Sequence, residues 1–493
     1  MPAALEPCPL FIDGEWITST ATVTEPVYNP SDGSQISATP ICRAGEVSDA
    51  VHAAANAFPD WSETPPVDRA RLMFRFAELL EKHFEELSQL VTREHGKTLN
   101  ESRGSVRRGI EVVEFACGAP SLLMGESLEN ISRDIDCDSI RQPVGVSVAI
   151  TPFNFPIMVP LWTLPIALVC GNTFVLKPSE KVPLSAIRMV ELLQEAGLPK
   201  GVLNLVHGGR EAVDTLLTHP YVRTVSFVGS TPIAQHVYET ATRAGKRVQS
   251  AGGAKNFMLV MPDADMDSTL DAVLGSAYGC AGERCMAGSA LVCIGDSGKR
   301  FLPVLSDAST KLRVGATDRD PDAQMGPLVT PQHLERVCNA IEHGLSQGAD
   351  LLVDGRDVKV EAAPQGFYLG PTVLDRVTPK MDILRDEVFG PVLAVTHTND
   401  LDAAIQQCND SGYGNAAVIF TSSGGAARKF KHSANAGMVG INVGVPAPMA
   451  FFPFSGWNNS FFGDLHVQGH EGVSFFTRQK VTISRWAEET HRF

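Results

Sequence analysis

An α/β architecture in two units, the first built on a parallel sheet, is predicted by three features of this 493-residue chain. Short apolar strand patterns alternate with amphipathic helical patterns from residue 143 to about 250, which implies a parallel sheet with right-handed crossovers. A second run of alternation starts at Asn256 and extends to 420. Hydrophobic residues make up 44% and charged residues 20%, the balance of a folded core, and the length suits two to four domains.

Each element follows from local pattern. The first 40 residues read as an extended, hairpin-rich arm, with turn signals at Asp13-Gly14, Asn29-Pro30 and Asp32-Gly33. Residues 46–58 and 66–118 carry three- and four-residue apolar spacing, as in RARLMFRFAELLEKHFEELSQLV, and predict helices with one packed face. Val144–Ile150 and Thr173–Leu176 read as buried strands. A helix over 183–196, strand 202–206, helix 210–218, strand 222–228 and helix 231–244 follow. In the second unit, strands are predicted near 257–261 and 289–294, helices near 300–312 and 332–347, and strand–helix units near 392–395, 402–410 and 416–420. The final stretch, VSFFTRQKVTISRW, returns to a β-like pattern.

No charged residue lies between Arg141 and Lys177, a length sufficient for a membrane helix. Pro152, Pro156, Pro160 and Pro165 interrupt it, each removing an N–H and opposing a continuous span. A buried strand, a Pro-rich turn and a buried helix are expected instead. A second uncharged tract, Ser433 to Gly463, is broken by Pro446, Pro448 and Pro453 and reads as interior or pocket lining.

Function classes narrow in the same way. Lys+Arg 41 against Asp+Glu 56 gives a net charge of −15, a surface that repels nucleic acid. Ten cysteines without a C-x-x-C, and an N-terminus (MPAALEPCPLFIDGEW) without a basic leader region, predict a reduced, cytoplasmic protein. The thirteen histidines do not cluster, and G-x-G-x-x-G, the P-loop and H-E-x-x-H are all missing from the sequence. No metal is expected.

A nucleophilic cysteine is the better reading. Tyr278 to Ala287 places Cys280 and Cys285 in a Gly/Ala-rich run, where small neighbours leave room for a substrate and Arg284 would favour a thiolate. Cys280 reads as a small core residue.

Five segments then agree in order and spacing: ITPFNFP (150–156), LKPSE (176–180), FVGS (227–230), the Cys285 run and EVFGPV (387–392). Together they resemble the aldehyde dehydrogenase superfamily over nearly the whole chain. AGGAKN (251–256), AGERCMA (281–287), RRGIEVVEFAC (107–117) and FGDLH (462–466) are most similar to its CoA-acylating methylmalonate/malonate-semialdehyde branch. The resemblance implies a Rossmann-type cofactor domain over 1–118 and 140–250 and an α/β catalytic domain over 251–445. It also implies a small oligomerisation arm from 119–139 and 465–493, with a dimer or tetramer as the assembly.

The same resemblance implies the site. Cys285 would be the nucleophile, with the Asn154 amide and the Cys285 backbone N–H as oxyanion donors. Phe153, Lys177, Glu180, Gly229, Ser230 and Glu387 would bind the cofactor. A carboxylate at the adenosine ribose favours NAD over its 2′-phosphate. Arg108 and Arg284, with Arg107 in reserve, would read the carboxylate of a small semialdehyde substrate.

One absence bears on the subtype. Hydrolytic relatives carry E-L-G-G-K, whose glutamate activates the deacylating water. Here the segment is Gln249-Ser250-Ala251-Gly252-Gly253-Ala254-Lys255, with Ser250 or Ala251 at that position. A thiol, more acidic and more nucleophilic than water, becomes the expected acceptor, so coenzyme A is predicted as cosubstrate. The alternatives are a hydrolytic NAD-dependent semialdehyde dehydrogenase and, less favoured, a catalytically silent NAD-binding protein.

Overall fold

The computed structural model describes residues 6–486. Its first unit is an eight-stranded sheet whose five central strands are parallel. They lie in the order Leu203–Leu205, Thr173–Lys177, Val146–Ile150, Val222–Val228 and Arg247–Ala251. In chain order this is 3-2-1-4-5, the doubly wound arrangement, and its switch point falls between Val146–Ile150 and Val222–Val228. The N-terminal hairpin Leu10–Ile12/Glu15–Ile17 closes one edge, antiparallel to Leu203–Leu205. Phe461–Phe462 closes the other, antiparallel to Arg247–Ala251.

The uncharged tract resolves into the strand Val146–Ile150, a turn and the helix Met158–Val169. From Val159 to Val169 every residue of that helix is buried, packed against the helix Leu99–Cys117 and its neighbours. A helix apolar on all sides belongs in a core, and no helix among the described residues is long and apolar enough to cross a membrane. The helix Leu99–Cys117 starts at a capping box: Thr98 Oγ1 accepts from the Glu101 N–H, and Glu101 Oε2 accepts from the Thr98 N–H at 3.0 Å.

The second unit is a seven-stranded sheet ordered Asp350–Val353, Thr372–Asp375, Val392–Thr398, Gly288–Ile294, Asn256–Val260, Ala416–Phe420 and Met438–Ile441. All neighbours are parallel except the outermost pair, Asp350–Val353 and Thr372–Asp375. The predicted strands and helices of this unit all form, with ends within a few residues of expectation.

A separate three-stranded sheet joins Glu126–Ser132, Ile135–Pro143 and Thr477–Arg485. Two details depart from the sequence reading. The strand Ile135–Pro143 runs past 139, and among the described residues of 465–486 it is Thr477–Arg485 that enters this sheet. Gly469–Phe475 is a short helix against Met158–Val169, so VSFF is helical up to Phe475 rather than β. Val473 and Phe475 supply an i, i+2 pattern that local reading takes for a strand, and burial against the neighbouring helix decides otherwise. Residues 487–493 of the predicted arm lie outside the described residues. The sheet leaves Leu128, Ile140, Val481 and Ile483 exposed.

Candidate active site

The loops at the carboxyl ends of the first sheet meet the loops at the amino ends of the second. Asn154 follows the strand Val146–Ile150 and is buried; its Nδ2 donates to the Glu283 carbonyl at 3.1 Å, leaving a second amide N–H. Lys97 Nζ donates to the Asn154 backbone carbonyl and fixes the loop from below. Cys285 sits just before the strand Gly288–Ile294, at its amino end. It is reached from the helix Met266–Tyr278 through Cys280, Ala281 and Gly282, all left-handed, with φ of 52°, 52° and 72°. At Gly282 only glycine fits, because a Cβ would collide with the Gly390 carbonyl. The Cys285 carbonyl is held from two sides, by Asn256 Nδ2 at 2.8 Å and Asn415 Nδ2 at 2.7 Å.

Burial pushes the Cys285 thiol up to about 12, and the nearby Glu387 carboxyl adds to the rise. Arg284 acts in the expected direction, towards the thiolate, and burial outweighs it.

Cys285, Arg108, Arg284, Trp162, Phe454 and Gln468 line one cavity of about 300 Å³. Arg107 points away to an exposed ion pair with Glu81. Arg108 Nη1 lies 3.2 Å from Glu111 and 2.9 Å from Met449 Sδ. Arg284 Nη2 donates to the Gly275 and Ser276 carbonyls, the latter at 3.0 Å, while its buried Nε has no partner among the described residues. Part of this guanidinium thus caps the preceding helix. The cavity's two carboxylates are both engaged: Glu111 with Arg108, and Glu101 with Thr98 and with the Cys280 N–H at 2.6 Å.

The expected cofactor residues line up along the same strand ends. Lys177 Nζ lies 3.2 Å from Glu180 Oε2; burial alone would raise the Glu180 carboxyl, but the ammonium beside it holds it below its ordinary value. Gly229 donates its N–H to the Ala251 carbonyl at 3.1 Å and delivers the chain to Ser230, the N-cap of the helix Thr231–Arg243. The Ser230 hydroxyl makes no capping bond and is free to meet an anion at that helix end. Glu387 is half-buried and accepts from the Ala254 N–H at 2.9 Å. Gly253 has no room for a Cβ beside that carboxylate. Phe153 stacks on His95 with ring centroids 6.2 Å apart and meets Phe389 edge-on at 5.7 Å. A capping hydroxyl without a capping bond, an ion-paired acid at Glu180 and a half-buried acid at Glu387 are groups whose chemistry fits the hydroxyls and phosphates of NAD.

The chain matches the model of the aldehyde dehydrogenase family over residues 16–482. It belongs to that family. It is 50% identical over 476 residues to malonate-semialdehyde dehydrogenase 1 of Geobacillus kaustophilus, covering 97% of each chain. With the malonate-semialdehyde dehydrogenase of Pseudomonas aeruginosa it shares 49% over 478 residues, covering 97% of this chain and 96% of that one. Among solved structures, it is similar to a methylmalonate-semialdehyde dehydrogenase from Sinorhizobium meliloti complexed with NAD, with a TM-score of 0.97, 44% identity and 99% of each chain covered. The methylmalonate-semialdehyde dehydrogenase of Oceanimonas doudoroffii gives a TM-score of 0.96 at 47% identity, with 98% and 99% covered.

In this aldehyde dehydrogenase, Ser250 and Ala251 lie in the strand Arg247–Ala251, and Ser250 Oγ donates to the Ala234 carbonyl. Neither register puts a carboxylate there. Several site residues have no sequence signal of their own. Asn256 stands inside AGGAKN, but its grip on Cys285 and that of Asn415 are long-range contacts. Glu283 is wholly buried two residues before Cys285, with His95 Nε2 at 3.8 Å and His333 Nε2 at 3.3 Å. Burial pushes Glu283 up to about 8 and His333 down to about 3. Glu283 Oε1 accepts from the Val329 N–H at 3.3 Å, and His333 Nε2 meets the Phe389 carbonyl at 2.7 Å, so the loop that carries the thiol is tied to the chain near 329.

Proposed function

We propose that this enzyme oxidises malonate or methylmalonate semialdehyde with NAD and coenzyme A, releasing carbon dioxide and forming acetyl-CoA or propionyl-CoA. The acylating assignment rests on one observation: Ser250 and Ala251 occupy the position of the water-activating glutamate, and the cavity's own carboxylates are engaged. The substrate class is supported by the relatives, which carry the malonate- and methylmalonate-semialdehyde names.

Cys285 Sγ bonds to the aldehyde carbon as the thiol proton passes to solvent water, with the Arg284 guanidinium as the chain's charge that favours this ionisation. The second Asn154 N–H and the Cys285 backbone N–H receive the developing oxyanion. Lys177, Glu180, Gly229, Ser230, Phe153 and Glu387 hold NAD, which when bound accepts the departing hydride. A thioester on Cys285 remains. Arg108 and the free edge of Arg284 orient its distal carboxylate. The bond to that carboxylate breaks, carbon dioxide leaves and the electron pair enters the thioester enolate, which takes a proton at carbon. The CoA thiolate attacks the acyl carbon and the Cys285 thiolate departs.

The test is NADH formation from malonate semialdehyde with and without CoA, with analysis of the thioester product. Multiple turnover only with CoA, yielding acetyl-CoA, is the expected result. Steady turnover without CoA would return the enzyme to the hydrolytic class. We further propose a cytoplasmic dimer or tetramer joined through the exposed face of the three-stranded sheet.

A pH dependence follows from Glu387. Burial raises its carboxyl to about 7, so the ionised form that accepts ribose hydroxyl bonds predominates only above that value. NAD affinity, read by quenching of tryptophan fluorescence, is expected to strengthen as pH rises through about 7. In Glu387→Gln that pH dependence is expected to vanish; parallel curves for the two proteins would remove Glu387 from the ribose.

A further inference from the structure

Gln468 is an unexplained residue in the cavity wall. Its backbone lies at φ 72°, ψ 171°, a region that suits glycine and strains other residues. The chain around it is clamped to the same wall. The Val467 carbonyl accepts from the Phe454 N–H at 3.0 Å, and the Gly469 N–H donates to the Ala450 carbonyl at 3.1 Å. This strained backbone presents a side chain that is 4% exposed and borders the cavity with Cys285, Arg108 and Arg284. Its Oε1 is sealed without a partner, and no hydrogen bond engages either amide atom among the described residues. That oxygen is an acceptor and does not pair with an anion; the amide's donor, Nε2, is not sealed in the wall and is the atom left to a ligand that accepts.

We infer that Gln468 is a specificity-determining residue whose side-chain amide donates to the distal carboxylate of the bound semialdehyde. Arg108 and Arg284 are each already tied to protein acceptors, so a neutral donor on the facing wall completes the carboxylate's hydrogen bonding. The inference rests on the substrate reading above.

Gln468→Met keeps length and bulk without the amide, and Gln468→Gly suits the backbone and removes the side chain. With NAD and CoA saturating, both are expected to raise KM for malonate semialdehyde about ten-fold or more, the scale of a lost hydrogen bond to a charged group. Their kcat/KM for propanal is expected to stay at the wild-type value. Equal losses on both aldehydes would mark Gln468 as structural and overturn the inference. So would an unchanged KM for malonate semialdehyde in both variants. A wild-type enzyme that does not prefer malonate semialdehyde to propanal would refute the substrate reading itself. A wild-type preference kept intact in both variants refutes Gln468 alone.

Discussion

Cys285→Ala is expected to abolish NADH formation from every aldehyde, a loss of about 10⁴-fold or more on the scale seen when a covalent nucleophile is removed. Cys280→Ala is expected to retain most activity. Both thiols border the cavity, so position alone does not separate them. Their surroundings do. Cys280 is fully buried inside the left-handed turn, with its N–H spent on Glu101 and its thiol raised to about 11 by burial. Cys285 is half-buried at the turn's exit, with its carbonyl fixed by two asparagines and the Asn154 amide nearby on the Glu283 carbonyl. Alanine keeps the Cβ that Cys280 already carries, so the strain at φ 52° is unchanged in that variant. Retained NAD binding in Cys285→Ala, measured by fluorescence titration, separates lost chemistry from lost folding. Equal loss in both variants would overturn the choice of nucleophile.

Asn154→Ala should lower kcat by about 10²–10³, the usual consequence of deleting one oxyanion donor. The backbone should stay in place, because Lys97 holds the Asn154 main-chain carbonyl rather than its side chain. The removed amide also supports the Glu283 carbonyl, so a positioning effect on Cys285 has to be told apart from an electrostatic one. Alkylation of Cys285 by iodoacetamide does this, since it needs the thiol but no oxyanion. A wild-type alkylation rate with the fallen kcat fits the oxyanion role. Parallel falls in both would make Asn154 a positioning residue.

Both experiments address residues already visible in the sequence, and the reason is physical. The strands Val146–Ile150, Thr173–Lys177 and Val222–Val228 announce themselves because parallel strands are apolar on both faces and are followed by helices of different period. The motifs at their ends carry Asn154, Lys177, Glu180 and Ser230 at short range. What local pattern misses is whatever depends on contacts across the chain. Asn415 reaches Cys285 over 130 residues. Gln468 borders a cavity whose other walls come from residues near 105, 160 and 285. The helix at Gly469–Phe475 reads as a strand until the helix it packs against is in place. Arg284 reads as a free guanidinium, yet it spends part of its donor set on the helix that precedes it, a bond no spacing rule supplies.

Two late segments complete sheets whose other strands come early in the chain. Thr477–Arg485 pairs with Ile135–Pro143, and Phe461–Phe462 pairs with Arg247–Ala251. A ribosome adding about 5–20 residues per second therefore leaves these edges unpaired for on the order of ten seconds to a minute after they emerge. The nascent chain carries Cys285 well before Phe454 and Gln468 exist to wall its pocket. Open strand edges invite pairing with the wrong chain, so these early strands are exposed to mispairing until the segments around Phe461 and Thr477 arrive.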